Sequence, residues 1–287
     1  MISTHPRLTG ERPQEGVTPD SLLALHDAGY RAVVARLGPG RVVDVGCGSG
    51  FESVRLGGPG RRVLGVDYSR EATAEARRRH RGTLAVACSD AEALGLATGA
   101  FDWVCSSHLI EHFADPAGHA AELARICAEE GTAFVLTPNA PADFENPFHL
   151  CLFDPTGLAA LLGRFFEEVW VGGVDAPAPV KADFAARRAK AARLLALDVL
   201  DLRHRMPRRW YVAVYTRLLP VAYRLLARRD SGGATGITAD DWFVTEAADP
   251  TTLVLFAVCR GPRREREDRS DRRLRRVRPD PRDRRAP

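Results

Sequence analysis

Five short apolar runs alternate with helix-forming segments over the first half of the chain. The apolar runs occupy residues 41–45, 61–69, 83–90, 101–105 and 131–139. The helix-forming segments occupy residues 21–37, 51–56 and 71–80. Short apolar runs separated by amphipathic segments are typical of buried parallel strands joined by crossover helices. The pattern predicts an α/β fold built on a mostly parallel sheet with helices on both faces.

The second half of the chain resumes this pattern after an interruption. Residues 152–175 predict a capped helix followed by a sixth strand, and residues 237–246 and 251–260 predict two closing strands. Between them, residues 181–229 carry thirteen Lys or Arg against three Asp, with Trp and Tyr residues interleaved. Because the closing strands lie beyond it, we expect residues 176–235 to form a basic helical insertion within one domain.

Length and composition are those of a globular protein. The chain has 287 residues, of which 45% are hydrophobic, which suits one domain with additions. Its first residues lack the basic and apolar regions of a signal peptide, and its six cysteines are scattered without a C-x-x-C pair. We therefore expect a cytoplasmic protein with reduced thiols.

The two ends of the chain are polar. Residues 1–18 are predicted to be a flexible lead-in to a domain that spans residues 19–261. In residues 262–287, twelve Arg are mixed with six Asp or Glu and apolar residues are almost absent. This composition predicts a disordered, solubilising Arg-rich tail. The net charge of +4 is largely a property of that tail.

A glycine-rich turn follows the first strand. Residues 44–50 read DVGCGSG, with an acid at Asp44 and glycines at positions 46, 48 and 50. Glycines in such a turn let a ligand approach the backbone closely. The spacing differs from the G-x-G-x-x-G of dinucleotide-binding domains, because Phe51 stands where the last glycine would be. A turn with no ligand is the alternative that this segment alone leaves open.

The turn resembles motif I of the class I S-adenosylmethionine-dependent methyltransferases. Three further signals follow in the family's order: Asp67 after the second strand, Asp90 after the third, and a polar run from Ser106 after the fourth. The resemblance covers residues 21–175. It implies a Rossmann-like, seven-stranded, mostly parallel sheet, with S-adenosyl-L-methionine as cofactor.

The resemblance also implies a set of cofactor contacts. Asp67 would accept hydrogen bonds from the two ribose hydroxyls, Tyr68 would lie beside the adenine, and Asp90 and the backbone of Ala91 would contact the adenine edge. Tyr68 as a packing aromatic and Asp90 as a helix cap remain open alternatives. The predicted cofactor-binding residues are Asp44, Gly46, Cys47, Gly48, Gly50, Asp67, Tyr68, Asp90, Ala91 and Ser107.

A cluster of histidines and one glutamate follows the fourth strand. His108, Glu111 and His112 form H-x-x-E-H, which on a helix would place the three side chains on one face. The same letters describe an inverted zinc-peptidase motif, but a position after a strand of a parallel sheet disfavours that function. His149 follows the fifth strand. We predict that all four residues are catalytic and lie at the carboxyl edge of the sheet.

The cluster is similar to that of a subset of O-methyltransferases, including ubiquinone-pathway enzymes and small-RNA 2'-O-methyltransferases. In these, E-x-x-E-H and a later His hold a divalent metal. Glu111, His112 and His149 match and are the predicted ligands of Mg²⁺ or Zn²⁺, whereas His108 replaces the first Glu, which argues against a hard Mg²⁺ site. Two alternatives stay open: His112 or His149 as a general base without metal, and purely structural histidines.

The predicted function is methyl transfer to a hydroxyl of a small molecule, a glycan or a secondary metabolite. Residues 181–229 could form a lid or contact an anionic membrane or lipid-linked substrate, because their second predicted helix carries a stripe of arginines. Nucleic acid is a disfavoured partner, since no recognised module accompanies the charge. The alternative from another class is a non-catalytic S-adenosylmethionine-binding or nucleic-acid-associated protein.

Overall fold

A computed structural model describes residues 20–143, 149–195 and 236–263. Across these ranges the α-helices are Asp20–Val34 (α1), Arg70–Arg79 (α2), Ala117–Ile126 (α3), Pro155–Leu162 (α4) and Ala178–Leu195 (α5). Short 3-10 turns span Ser53–Leu56, Ile110–His112, Ala140–Ala142 and Ala239–Asp241. The predicted lead-in, residues 196–235 of the insertion and the tail beyond residue 263 lie outside the described residues.

One mixed sheet runs through the described residues. Its strands are Gly40–Val45 (β1), Arg61–Asp67 (β2), Ala85–Cys88 (β3), Phe101–Ser107 (β4), Cys127–Pro138 (β5), Phe166–Asp175 (β6), Phe243–Thr245 (β7) and Val254–Pro262 (β8). They lie in the order β3-β2-β1-β4-β5-β8-β6-β7. Strands β1 to β5 are parallel to one another, and β8 is antiparallel to both of its neighbours. The predicted Rossmann-like α/β fold is confirmed.

The described residues contain eight strands, one more than the seven that the family resemblance implies and as many as the apolar runs predict. Strand β7, the first of the two predicted closing strands, is a three-residue segment that pairs with the end of β6. The predicted strand 237–246 is this short because residues 239–241 form a 3-10 turn, closed by a capping box between Thr238 and Asp241.

Helices bury both faces of the sheet. Successive strand residues alternate between the two faces, so Val42 and Phe134 belong to one hydrophobic cluster and Val43 and Val135 to the other. The first cluster packs against α1 and α5, and the second against α3 and α4. Each fully buried Leu or Phe in these clusters contributes about 1.5–3 kcal/mol.

Helix α1 lies unusually close to the sheet. A Cβ at Gly29 would come within 2.8 Å of Leu136 Cδ2, so a larger residue here would require the buried Leu136 side chain to shift. The approach brings Tyr30 to hydrogen-bond distance of Asp44, which precedes the glycine turn. It also brings His26 against His108, with ring centroids 4.3 Å apart. The first helix therefore contributes side chains to the edge of the sheet where the predicted site lies.

The described part of the insertion is a helix that packs on the domain. Phe184 of α5 is buried and lies edge-on to Trp242, with ring centroids 5.8 Å apart. Lys181 forms an ion pair with Asp175 at 2.5 Å. Over the described residues, no helix is long and apolar enough to cross a membrane. All six cysteines lie in described segments, and no disulfide joins any two of them.

Candidate active site at the carboxyl edge of the sheet

A cavity of about 280 Å³ opens where β1, β2, β3 and β4 end. Its lining includes five of the predicted cofactor-binding residues, Gly46, Asp67, Tyr68, Asp90 and Ala91, together with the predicted catalytic residues His108 and His112. Ligands of open parallel sheets bind at this edge, because the loops after the strands are free to diverge there. Segments far apart in the sequence therefore meet at one cavity.

The glycine turn has a backbone that other residues adopt only with strain. Gly46, Gly48 and Gly50 have φ angles of +89°, +54° and +77°. A Cβ at Gly46 would lie 2.9 Å from Leu109 Cδ2, and one at Gly50 would lie 2.7 Å from Leu84 Cδ2. The positive φ angles favour glycine at all three positions, and Gly46 presents its backbone to the cavity.

Asp67 connects the turn to the end of β2. Its Oδ2 accepts a hydrogen bond from the Gly48 N–H at 2.9 Å, and its Oδ1 accepts one from the Ser69 N–H at 2.8 Å. Each carboxylate oxygen can accept more than one hydrogen bond, so Asp67 can orient the turn and still accept from a ligand hydroxyl.

The next two predicted contacts lie at the mouth of the cavity. Tyr68 is 62% exposed, so its ring is not part of the core. Asp90 is exposed, and its Oδ1 accepts from the Glu92 N–H at 3.0 Å. The adjacent Ala91 carbonyl lies 3.1 Å from Nδ1 of His119, a buried residue of α3.

Five other predicted cofactor residues are absent from the cavity lining: Asp44, Cys47, Gly48, Gly50 and Ser107. Asp44 is fully buried beneath the turn and hydrogen-bonds to Tyr30 and Ser53. Burial raises the pKa of Asp44 to about 6, although the bonds from Ser53, Tyr30 and Cys105 act in the opposite direction. The Cys47 side chain packs against Gly65. These residues shape the turn from below.

The predicted catalytic cluster surrounds one buried carboxylate. Glu111 is 1% exposed, and its Oε2 accepts a hydrogen bond from Thr137 Oγ1 at 3.0 Å. Its Oε1 lies 3.6 Å from His108 Nδ1, an ion-pair distance rather than a hydrogen-bond distance. Donor atoms of Glu111, His112 and His149 all lie within 4.8 Å of one another.

The expectation that H-x-x-E-H lies on a helix is wrong. Residues 110–112 form only a 3-10 turn, and His108 precedes it with a φ of +52°. Among the described residues, His108 is the only non-glycine residue with a positive φ. The three side chains come together because the chain turns sharply after β4. Strain of this kind costs about 1–3 kcal/mol and clusters at functional sites.

Neighbouring charges keep Glu111 ionised. Burial alone would raise its pKa, but the interaction with His108 and the charges of His112 and His149 outweigh burial and hold the pKa at about 2. Burial lowers the pKa of His149, but Asp143 Oδ2, 2.9 Å from its Nδ1, raises it by more. The cluster is an anion enclosed by imidazoles.

Two histidines of this region were not singled out from the sequence. His26 of α1 packs on the His108 ring, and burial together with His108 lowers the pKa of His26. His119 of α3 contacts the Ala91 carbonyl. Both lie in amphipathic helices without a motif, so no local signal distinguished them from ordinary core residues.

A comparison with known protein families matches the segment of the chain that contains all the cavity-lining residues. Residues 43–135, which run from β1 into β5, match the family described as "Methyltransferase domain". The chain contains a class I methyltransferase domain. The domain thus includes the glycine turn, Asp67, Asp90 and the His108–His112 segment.

The relatives of this methyltransferase domain match only part of the chain. The chain is 29% identical over 162 residues to the "Probable S-adenosylmethionine-dependent methyltransferase" of Mycolicibacterium smegmatis. The aligned residues make up 54% of this chain and 63% of that protein. The chain is 39% identical over 103 residues to the ubiquinone biosynthesis O-methyltransferase of Methylococcus capsulatus, covering 34% of this chain and 44% of that protein. The chain therefore spans less than two thirds of the length of these relatives.

A solved structure shares the fold over a longer stretch. A S-adenosylmethionine-dependent methyltransferase from Thermotoga maritima superposes with a TM-score of 0.54 at 18% identity, covering 83% of this chain and 90% of that one. At this identity the likeness concerns the fold alone.

The residues present fit the cofactor that the methyltransferase family implies. Gly46 presents its backbone to the cavity, and the carboxylates of Asp67 and Asp90 follow the next two strands at the same cavity. The donor set Glu111, His112 and His149 also fits a divalent cation. Within the described residues, Glu111 Oε1 is buried without a hydrogen-bond partner, so it has a lone pair that a cation could use.

Proposed function

We propose that the protein transfers the methyl group of S-adenosylmethionine to a hydroxyl oxygen of a small-molecule, glycan or secondary-metabolite acceptor. The observation that carries the proposal is the lining of the cavity, which combines Gly46, Asp67 and Asp90 with the imidazoles of His108 and His112. Cofactor-type groups and proton-accepting or metal-binding groups thus share one space. Oxygen as the acceptor atom is supported by the similarity to the ubiquinone biosynthesis O-methyltransferase.

Bound S-adenosylmethionine supplies an electrophilic methyl group on a sulfonium. In the proposal, Asp67 accepts hydrogen bonds from the ribose hydroxyls, and the turn at Gly46 and Gly48 passes under the amino-acid part. Asp90 and Ala91 contact the adenine, and Tyr68 lies beside it. These residues do no chemistry themselves. Their role is to fix the orientation of the methyl group, which is a large part of catalysis in a two-substrate transfer.

The acceptor hydroxyl must lose its proton, and the proposal assigns this step to the Glu111 cluster, of which His112 lines the cavity. We propose that Glu111, His112 and His149 hold a divalent cation, which would lower the pKa of a bound hydroxyl. One carboxylate and two imidazoles suit Zn²⁺, Fe²⁺ or Mn²⁺ better than Mg²⁺, which prefers oxygen ligands. His108, in the place of a carboxylate, adds to the nitrogen character of the cluster.

The insertion is proposed to select the acceptor. In its described part, Arg188 of α5 donates a hydrogen bond to the Pro141 carbonyl, two residues before Asp143. Asp143 in turn hydrogen-bonds to His149 of the cluster. This connection favours a lid on the acceptor side. Contact of residues 181–229 with an anionic membrane or a lipid-linked acceptor stays a further proposal, and nucleic acid remains disfavoured.

The experiment has two stages. Isothermal titration with S-adenosylmethionine and S-adenosylhomocysteine measures cofactor binding, and transfer of a labelled methyl group is then assayed on hydroxylated phenols, sugars and lipid-linked sugars. We expect binding of both compounds and transfer to at least one acceptor class. Binding of neither compound would reject the proposal. Binding without transfer to any acceptor would favour the non-catalytic alternative.

A further inference from the structure

Helix α3 carries three polar side chains at three-residue intervals, and all three contact the segment that follows β3. His119 Nδ1 lies 3.1 Å from the Ala91 carbonyl, and Glu122 Oε2 accepts from the Leu94 N–H at 2.6 Å. Arg125 donates to the carbonyls of Leu94 and Leu96 at 2.8 and 2.7 Å. Residues at this spacing share one helix face. The face forms a row of side-chain to backbone hydrogen bonds along residues 91–96.

The position of β3 explains why this segment needs such support. Strand β3 lies at the edge of the sheet and pairs only with β2. The chain that leaves it therefore has no strand on its outer side. Helix α3 packs against β4 and β5, so its row of side chains ties the segment after β3 to the rest of the domain. The first member of the row contacts Ala91, which lines the cavity.

His119 connects two strand ends through one ring. It is 0% exposed, and its Nε2 lies 2.9 Å from Ser106 Oγ near the end of β4. A carbonyl only accepts hydrogen bonds, so Nδ1 must carry the hydrogen that the Ala91 carbonyl accepts. Burial lowers the pKa of His119 to about 4, so the ring is neutral and Nε2 accepts from the Ser106 hydroxyl. The ring also stacks on Phe113, another residue of the cavity lining.

We propose that His119 is a positioning residue for the cofactor. Through the Ala91 carbonyl it sets the place of the Asp90–Ala91 turn, and with it the affinity for the adenosyl part of the ligand. The inference rests on the proposed function, because it assumes that the cavity takes an adenosyl group. Glu122 and Arg125 contact residues away from the cavity, so their contribution is to stability.

Paired variants separate the two bonds of the ring. In His119→Asn the amide nitrogen can occupy the place of Nδ1, which keeps the Ala91 bond and gives up Ser106. In His119→Gln the amide oxygen can occupy the place of Nε2 and accept from the Ser106 hydroxyl, which keeps that bond and gives up the one to Ala91. Ser106→Ala is the matched control, because it removes the Ser106 bond and leaves His119 in place.

The readout is the dissociation constant of S-adenosylhomocysteine by isothermal titration, with the melting temperature measured alongside. We expect the dissociation constant to rise about tenfold in His119→Gln, the change that one lost hydrogen bond produces, and by less than about twofold in His119→Asn and Ser106→Ala. All three should melt at lower temperature than the wild type. Equal affinities across the folded variants, with only the melting temperature lowered, would overturn the proposal.

A wild-type measurement covers the case in which the variants fail to fold. In protein labelled with ¹⁵N-histidine, His119 should show the Nδ1–H tautomer, and its Nδ1 resonance should shift when S-adenosylhomocysteine is added. An unchanged resonance at saturation would refute the inference.

The two proposals fail in different ways. Binding of S-adenosylhomocysteine without methyl transfer refutes the proposed function and leaves the role of His119 standing. Normal transfer with unchanged affinity in His119→Gln does the reverse. Absence of binding to the wild type refutes both.

Discussion

The cavity has two sides that are built by different means. On the side of β1, β2 and β3, the carboxylates are oriented by backbone N–H groups: Asp67 by those of Gly48 and Ser69, and Asp90 by that of Glu92. On the side of β4 and β5, the side chains contact one another around Glu111. There, two buried atoms, Glu111 Oε1 and His108 Nε2, have no hydrogen-bond partner within the described residues.

In the proposed function, the first side of the cavity binds the cofactor and the second side acts on the acceptor. Backbone groups cannot change place without unfolding a turn, so the first side is organised before any ligand arrives. The second side contains buried polar atoms without a hydrogen-bond partner within the described residues, and an ion or a substrate that supplies a partner would stabilise it. We therefore expect changes on the first side to alter affinity and changes on the second to alter turnover.

The largest expected effect is that of Asp67→Ala on cofactor affinity. The variant removes the carboxylate that accepts a hydrogen bond from the Gly48 N–H and, in the proposed function, from the two ribose hydroxyls. The dissociation constant of S-adenosylhomocysteine should rise about a thousandfold, since each charge-assisted bond is worth about 1.5–3 kcal/mol. Turnover at saturating cofactor should change little. Asp102→Ala, at the opposite end of β4, is the control. An affinity loss under about tenfold would show that the ribose is not bound by Asp67.

The next effect concerns stability beneath the glycine turn. Asp44 has a pKa of about 6 in the folded protein against an ordinary 3.8, so the folded protein retains a proton that the unfolded chain releases in this window. The contribution of Asp44 to the free energy of unfolding is full below the ordinary pKa of 3.8. It is lost as the pH rises through the folded-state pKa of about 6. The loss is about 3 kcal/mol.

Asp44→Asn should abolish this loss, because an amide does not titrate. Relative to the wild type, its free energy of unfolding in urea should increase by about 3 kcal/mol between about pH 4 and about pH 7. Asp102→Asn is the opposite control: hydrogen bonds from Arg41 lower the pKa of Asp102, so its small contribution is lost as pH falls. Parallel curves for Asp44→Asn and the wild type would show that Asp44 is not buried as a neutral acid.

The smallest of the three effects is expected on the acceptor side. Glu111→Gln should lower turnover about a hundredfold, in the range of a lost proton-transfer or metal-activation step, and leave the affinity for S-adenosylhomocysteine unchanged. Thr137→Val keeps the carboxylate and removes one bond to it, so its effect should be smaller. Bound metal is measured by elemental analysis after dialysis against each candidate cation. Turnover unaffected by both Glu111→Gln and chelation would reject a role for the cluster.

The meeting of Gly46, Asp67 and Asp90 at one cavity was predictable from the sequence. Gly46, Asp67 and Asp90 each follow an apolar run, and the ends of parallel strands meet at one edge by topology alone. The acceptor side was predictable only as a set of residues. The geometry of His108 and Glu111 was wrong, because a helical period was assumed where the chain makes a strained turn after β4.

The sequence by itself determined the α/β class, the succession of the first six strands along the chain, and the edge of the sheet at which the predicted site residues lie. These follow from local alternation of apolar and polar residues, which neighbouring positions encode. Only the tertiary structure decided that β7 is three residues long and pairs with β6, that His26 packs on His108, and that His119 reaches Ala91 across 28 residues of sequence. Such contacts depend on how whole helices pack against the sheet, and no short stretch of sequence contains that information.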